Sequence, residues 1–146
     1  MKLRMSNALI AIGLILCSMS CVKEGCDDPD ASNFSEEANK NNGSCIYEGN
    51  ATLWYNWNTS YNLENDGITE LTFYIDSQII GGVSTTTYWP LEPDCGDPGS
   101  ISHRRSMGSD KTQSSNYYVH DQNGNDVWTG TLTFNAEGCV SIELEL

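Results

Sequence analysis

The 146-residue chain has few basic side chains. Only 7 Lys and Arg stand against 20 Asp and Glu, so the formal net charge is -13. An acidic surface repels phosphate backbones, and the composition therefore argues against a nucleic-acid partner. Hydrophobic residues make up 38% of the chain and aromatic residues 10%, which is enough to form a core and disfavours a wholly disordered chain.

The residue types that build catalytic and metal sites are also scarce. His103 and His120 are the only histidines, which excludes a three-histidine metal site. No Cys-x-x-Cys pair occurs, and no Gly-x-Ser-x-Gly elbow, so neither a Cys-rich zinc site nor that type of hydrolase is indicated. We therefore expect no enzyme activity and no cofactor, and a secreted hydrolase ranks third among the functions considered.

The apolar run from Ala8 to Cys17 is too short to span a bilayer, which takes about 20 residues. Lys2 and Arg4 precede it, and small polar residues follow it. This pattern is typical of a signal peptide, which has a positively charged N-terminal region, a short apolar stretch and small residues at the cleavage site. Here it would comprise residues 1–20. We therefore expect an exported protein.

Cys21 follows this segment directly, with Ser20 before it. The stretch resembles the lipobox of bacterial lipoproteins, which implies cleavage before Cys21 and acylation of its thiol. It departs from the family in Ser18, where Leu is preferred. The alternative is an ordinary secretory signal that leaves Cys21 a spare thiol.

Cysteine counting agrees with a lipid-anchored Cys21. Once Cys17 leaves with the signal and Cys21 carries lipid, four of the six cysteines remain. An even number suits a disulfide framework in an exported chain. The sequence alone permits three pairings of these four, which are Cys26, Cys45, Cys95 and Cys139.

Residues 21–49 read as a lipid anchor followed by a short acidic spacer. The stretch is rich in Asn and acids and has almost no apolar residues. From Gly25 to Cys45 it resembles a G-C-x-D-P-x-A-x-N-[YF]…G-S-C module of exported proteins from Bacteroidota-type bacteria. That resemblance implies a Cys26–Cys45 disulfide, which would stabilise the fold by about 3 kcal/mol in the chain-entropy model.

The same stretch contains weak calcium candidates, because Ca²⁺ prefers several oxygen ligands. An EF-hand that began at Asp28 would need Gly at Asn33 and Glu at Asn39, so that pattern fails. We favour the alternative that the acids and amides cap turns and solvate the spacer. The candidates are Asp27, Asp28, Asp30 and Asn33.

Residues 50–146 alternate between apolar and polar side chains, which predicts strands. Leu71, Phe73 and Ile75 share one face, and Asn123-Gly124 indicates a hairpin, for which a type I′ turn would need positive φ at both residues. No helix is expected, and residues 89–110 read as a long loop. The predicted fold is all-β, a small antiparallel β-sandwich.

The order of motifs from Tyr74 to Cys139 resembles small PEGA-like β-sandwich repeats of envelope lipoproteins in the same bacteria. The matching segments are Tyr74 to Gly81, Cys95-Gly96, Trp128 to Thr133 and Gly138-Cys139. The resemblance implies a Cys95–Cys139 disulfide, worth about 4 kcal/mol in the entropic account. It also implies placement at the outer membrane. Ser77 departs from the pattern, which has Gly in the hairpin.

Several exposed groups are candidates for binding. Trp54, Tyr88 and Trp89 are candidate platforms for sugar rings, whereas Trp57 and Trp128 are expected in the core. His103-Arg104-Arg105 is the one basic cluster, and we favour a solvated loop over an anion site there.

The sequence thus predicts a non-enzymatic, lipid-anchored cell-envelope protein with an interaction or structural role. Its acyl chains would bind the membrane, and an envelope protein or surface glycan is the expected partner. The alternative is a carbohydrate-binding surface accessory module.

Overall fold

A computed structural model describes residues 21–146, and the predicted signal peptide, residues 1–20, lies outside them. Among the described residues no helix is long and apolar enough to cross a membrane. The elements are β1 (Glu24–Gly25), β2 (Lys40–Asn41), β3 (Tyr47–Trp54), α1 (Trp57–Asn65), β4 (Glu70–Ile75), β5 (Gln78–Ser84), β6 (Ile101–Gly108), β7 (Thr112–Asp121), β8 (Asp126–Asn135) and β9 (Cys139–Glu143).

Two sheets form the body of the protein, and the predicted all-β class is confirmed. One has the strand order β6-β3-β9 and the other β5-β4-β7-β8. The four-stranded sheet is antiparallel throughout. In the three-stranded sheet β3 pairs antiparallel with β6 but parallel with β9, so one pairing departs from the antiparallel prediction. β3 begins at Tyr47 and extends across the predicted boundary between residues 49 and 50.

The core lies between the inner faces of the sheets. Leu71, Phe73 and Ile75 are buried on β4, as their alternation predicts, and Leu132 and Phe134 are buried on β8. Strands with one apolar face bury it against another layer, because that is how a sheet removes apolar surface from water.

Two hairpins are present, one within the segment Tyr74 to Gly81 and one at the predicted Asn123-Gly124 position. Asp76 and Ser77, with φ of 45° and 70°, join β4 to β5, and positive φ at both central residues is the type I′ signature. The β7–β8 hairpin is longer, and of the pair Asn123-Gly124 only Gly124 has positive φ. Its turn is organised by Asp121, whose carboxylate accepts from the Asn123 and Asn125 backbone N–H groups at 2.8 Å.

The helix α1 is a correction, because the sequence predicted none. Asn56 caps it, and its side chain accepts a hydrogen bond from the Thr59 N–H, as Asn does at helix starts. The buried face consists of Thr59, Ser60 and Leu63, so a single large apolar side chain points inward. That face is too polar to give a helical hydrophobic period.

The predicted loop over residues 89–110 is also partly wrong. Its second half forms β6, an edge strand beside β3, and the irregular segment ends before Ile101. Two disulfides are present, as expected. Cys26 is bonded to Cys45, and Cys95 in the irregular segment is bonded to Cys139 at the start of β9.

The predicted spacer is folded onto the sandwich. We call residues 22–46 the stapled module. Its buried residues Cys26, Ala31 and Cys45 belong to the same apolar cluster as the sandwich core. The Asn33 side chain donates to the Ser44 carbonyl at 2.6 Å and accepts from the Ile46 N–H at 2.9 Å. The module is therefore joined to the sandwich by packing as well as by the chain.

Candidate functional site

Cys21 lies at the exposed surface, and it is the free cysteine of the described residues. Its carbonyl accepts from the Asn39 side chain at 3.1 Å. The adjoining chain is held too, because the Lys23 N–H donates to the Asn39 side-chain oxygen at 3.0 Å. The thiol is therefore accessible to a modifying enzyme and stands directly on the stapled module.

The predicted sugar platform is wrong in one of its three residues. Trp54 is buried, with 8% of its surface exposed, because it ends the central strand β3, which is covered on both faces from Ala51 onward. Trp89 packs edge-on against Tyr55, with ring centroids 5.9 Å apart. Tyr88 is exposed. The three residues do not share one exposed face.

Trp57 is exposed, although the sequence predicted that it lies in the core. β3 ends at Trp54, and Trp57 lies on the first turn of α1 with 56% of its surface exposed. It stacks on the exposed Tyr61 with centroids 5.5 Å apart and planes inclined by 22°. Trp128 does pack against the core, stacked on Tyr55 at 6.1 Å, as predicted.

Several residues of α1 are exposed, and we call four of them, Trp57, Asn58, Tyr61 and Asn62, the helix surface. The segment that carries Tyr88 lies against this helix, because Ser60 Oγ donates to the Thr85 carbonyl at 2.7 Å. Aromatic rings offer flat apolar faces, and Asn amides offer both donors and acceptors. Such a surface can stack on a sugar ring and bond its hydroxyl groups.

The basic cluster lies on β6 rather than in a solvated loop. Arg104 is exposed and pairs with Glu48 on the neighbouring strand. His103 packs edge-on toward Phe134, and burial, with help from the nearby Arg105 charge, lowers its pKa. Neither Arg104 nor His103 therefore offers an unpaired positive charge to an anion.

Arg105 connects the two sheets. Its guanidinium pairs with Asp76 in the β4–β5 turn and donates to Ser115 Oγ on β7 at 2.8 Å. Burial works against the ionised Asp76, but hydrogen bonds from the Asn116 N–H and from Arg105 prevail and lower its pKa. Arg105 therefore has a structural role.

The calcium candidates are engaged within the protein. Lys111 Nζ lies 2.7 Å from an Asp28 oxygen and 2.9 Å from an Asp30 oxygen, so an ammonium group sits between the two acids. Asp27 accepts from Asn41, and Asn33 bonds the chain near Cys45 as described above. Within residues 21–146 no three His, Cys, Asp or Glu side chains gather as a metal site.

The Lys111 contact also sets the protonation of Asp28. Hydrogen bonds from Lys111 and then from the Tyr47 hydroxyl, which is 2.7 Å away, lower the pKa of Asp28 to about 2. In turn, the carboxylates of Asp28 and Asp30 raise the pKa of Lys111. These charges hold the stapled module against the loop that joins β6 to β7.

Comparisons with family models, with curated proteins and with solved structures find no match for this chain. The functional assignment therefore depends on the residues and geometry of the chain itself.

Sequence reasoning missed the helix surface, although a signal for it exists. Asn56 is a favoured N-cap residue, and Trp57 and Tyr61 are four residues apart, the spacing of neighbours on one helix face. The strand alternation of Leu53 and Tyr55 obscured it, because Trp57 continues the same period.

Proposed function

We propose that the chain is a non-enzymatic, lipid-anchored protein of the cell envelope, placed at the outer membrane, with an interaction or structural role. The observation that carries the proposal is the state of the cysteines. Cys21 is exposed and free, whereas the other four cysteines of residues 21–146 are paired in two disulfides. This is the distribution expected if Cys21 carries lipid.

Electrostatics supports an acyl anchor over adsorption by charge. Anionic headgroups repel a chain with a formal net charge of -13. Acyl chains bind the membrane through apolar burial, at about 0.8 kcal/mol per buried CH₂. The folded module next to Cys21 would then hold the sandwich close to the bilayer surface.

The test is metabolic labelling with a fatty-acid analogue in cells that express the full chain. Wild type should incorporate label and Cys21→Ser should not. Cys17→Ser is the matched control and should remain labelled, because it changes the neighbouring cysteine alone. Label that persists in Cys21→Ser, or wild type without label, would overturn the anchor.

The second candidate function is a carbohydrate-binding surface accessory module. The exposed, stacked Trp57 and Tyr61 on the helix surface favour it, since aromatic faces exposed side by side form a surface on which a sugar ring can stack. Neutral polysaccharides should quench tryptophan fluorescence in wild type but not in Trp57→Ala. Phe34→Ala, which removes another exposed ring, should behave as wild type, and a flat wild-type titration would refute this candidate.

A further inference from the structure

Two tyrosines lie side by side on the outer face of the four-stranded sheet. Tyr74 on β4 is directly opposite Tyr118 on β7, and both alternate with inward residues such as Phe73 and Val119. The register continues this row outward to Ile79 on β5 and Thr129 on β8. The rings thus form part of a continuous strip across the sheet.

A shallow, open depression of about 360 Å³ lies over these rings. We call it the tyrosine groove, and its lining residues are Tyr74, Ser77, Tyr118, His120 and Asp126. His120 is tilted against Tyr74 with ring centroids 4.7 Å apart. The groove therefore has an aromatic floor with polar groups at its margin.

Several polar atoms of the groove are available to a ligand. Three of the lining residues, Tyr74, Tyr118 and Ser77, carry a hydroxyl group that makes no side-chain hydrogen bond within residues 21–146. His120 Nε2 is 2.8 Å from Asp126 Oδ1, which leaves Nδ1 as the ring nitrogen that can meet a ligand. Concave sites with aromatic walls and a few such groups are the usual form of small-ligand sites.

The strands β7 and β8 present uncharged polar side chains beside the groove. Beside it β7 and β8 present hydroxyl and amide pairs, Ser114 with Thr133 at 3.0 Å and Asn116 with Thr131 at 3.1 Å. No Lys or Arg is among the groove's lining residues, and its carboxylate, Asp126, is engaged by His120. An anion would meet no positive partner here and would be repelled by the acidic protein.

A cation is the other ligand that tyrosines attract. The aromatic cages that recognise ammonium ligands surround the charge with several rings, whereas Tyr74 and Tyr118 lie next to each other on one open sheet face. An open aromatic floor beside rows of hydroxyls suits an extended, uncharged molecule with many hydroxyl groups.

We infer that the tyrosine groove binds an uncharged saccharide chain, with sugar rings stacked on Tyr74 and Tyr118 and hydroxyls bonded by His120 and Ser77. The inference does not depend on lipidation of Cys21, and it uses none of the residues of the helix surface.

The test measures binding of the full-length protein to four probes by calorimetry. Two are neutral, a β-glucan and a mannan, one is anionic, polygalacturonate, and one is cationic, a chitosan oligosaccharide. At least one neutral probe should bind and polygalacturonate should not. Tyr118→Ala should weaken binding about tenfold or more, since the stacking ring and its hydroxyl group are removed together.

Matched variants separate the groove from folding and from the helix surface. Tyr118→Phe keeps the ring and should weaken binding by a smaller factor. Thr112→Ala, at the far end of β7 on the same face, should bind as wild type. Trp57→Ala should also bind as wild type. An unchanged circular dichroism spectrum confirms that each variant is folded.

Three results would overturn the inference. The first is no binding of either neutral probe. The second is unchanged affinity in both Tyr74→Ala and Tyr118→Ala, and a loss confined to Trp57→Ala would then assign the saccharide to the helix surface. The third is binding of the chitosan oligosaccharide alone, which would make the groove a cation site.

Discussion

The stapled module and the sandwich are held together by different forces. The sandwich buries large apolar side chains such as Phe73, Phe134 and Leu53 completely. The module buries its disulfide and Ala31, and otherwise depends on side-chain to backbone hydrogen bonds and on ion pairs. Apolar burial is non-directional and summed over a whole core, whereas the module's contacts are few and local. The two regions should therefore fail under different perturbations.

The largest effect should follow from Phe134→Ala in the sandwich. Phe134 is fully buried and lies between the Arg105 guanidinium and the core. Its truncation should lower the free energy of unfolding by about 3–5 kcal/mol, because it removes buried apolar area and leaves a cavity. Urea denaturation measures this loss. Phe34→Ala, at an exposed ring in the module, is the control and should change stability little.

The next largest loss of stability, in the module, should follow from the double substitution Cys26→Ala and Cys45→Ala. The chain-entropy model assigns about 3 kcal/mol to this loop of 19 residues. Amide exchange should rise at Ser32 and Asn42, which bond the module's backbone, while Val119 in the sandwich remains protected. Equal loss of protection at Val119 would show that the two regions unfold as one unit.

The smallest effect should come from acid. The pKa of Asp28 is about 2, below its ordinary value of 3.8, so its ionised contacts stabilise the fold above about pH 4. That stabilisation should be lost as the pH falls from 4 to 2. Amide exchange of the module as a function of pH measures the change.

A lysine variant tests the cause of the acid effect. Lys111→Met should reduce the dependence on pH, because the hydrogen bond that lowers the pKa of Asp28 most is removed. Lys40→Met, which breaks only the exposed pair with Glu24, is the matched control and should leave it intact. If amide exchange of the module depended on pH in Lys111→Met as it does in wild type, Asp28 would not be the group that causes the acid effect.

The strands could be read from the sequence wherever one face is apolar and the other polar. Leu71, Phe73 and Ile75 gave such a period, as did Leu132 and Phe134, and these strands are present. β6 could not be found this way. Its sequence places Ser, His and Arg between two buried apolar residues, Ile101 and Met107. The polar side chains are tolerated there because His103 packs against Phe134 and Arg105 bonds Asp76 and Ser115.

The binding surfaces were harder to predict than the fold. Trp54 and Trp57 exchange their expected environments because a strand ends between them, and a strand end depends on tertiary packing. The tyrosine groove was not foreseen at all. Its residues come from three strands and a turn, and they meet only through the register of β4 with β7 and of β7 with β8.

The parallel pairing of β3 with β9 has a consequence for the order in which the protein matures. β3 is the first strand of the sandwich to emerge during synthesis, and its neighbour β9 emerges after every other described strand. Contacts so distant in sequence make folding slow. Cys95 likewise cannot form its disulfide before Cys139, at the start of β9, has been synthesised. Until β9 has emerged, one edge of β3 therefore stays open and the Cys95 thiol stays unpaired.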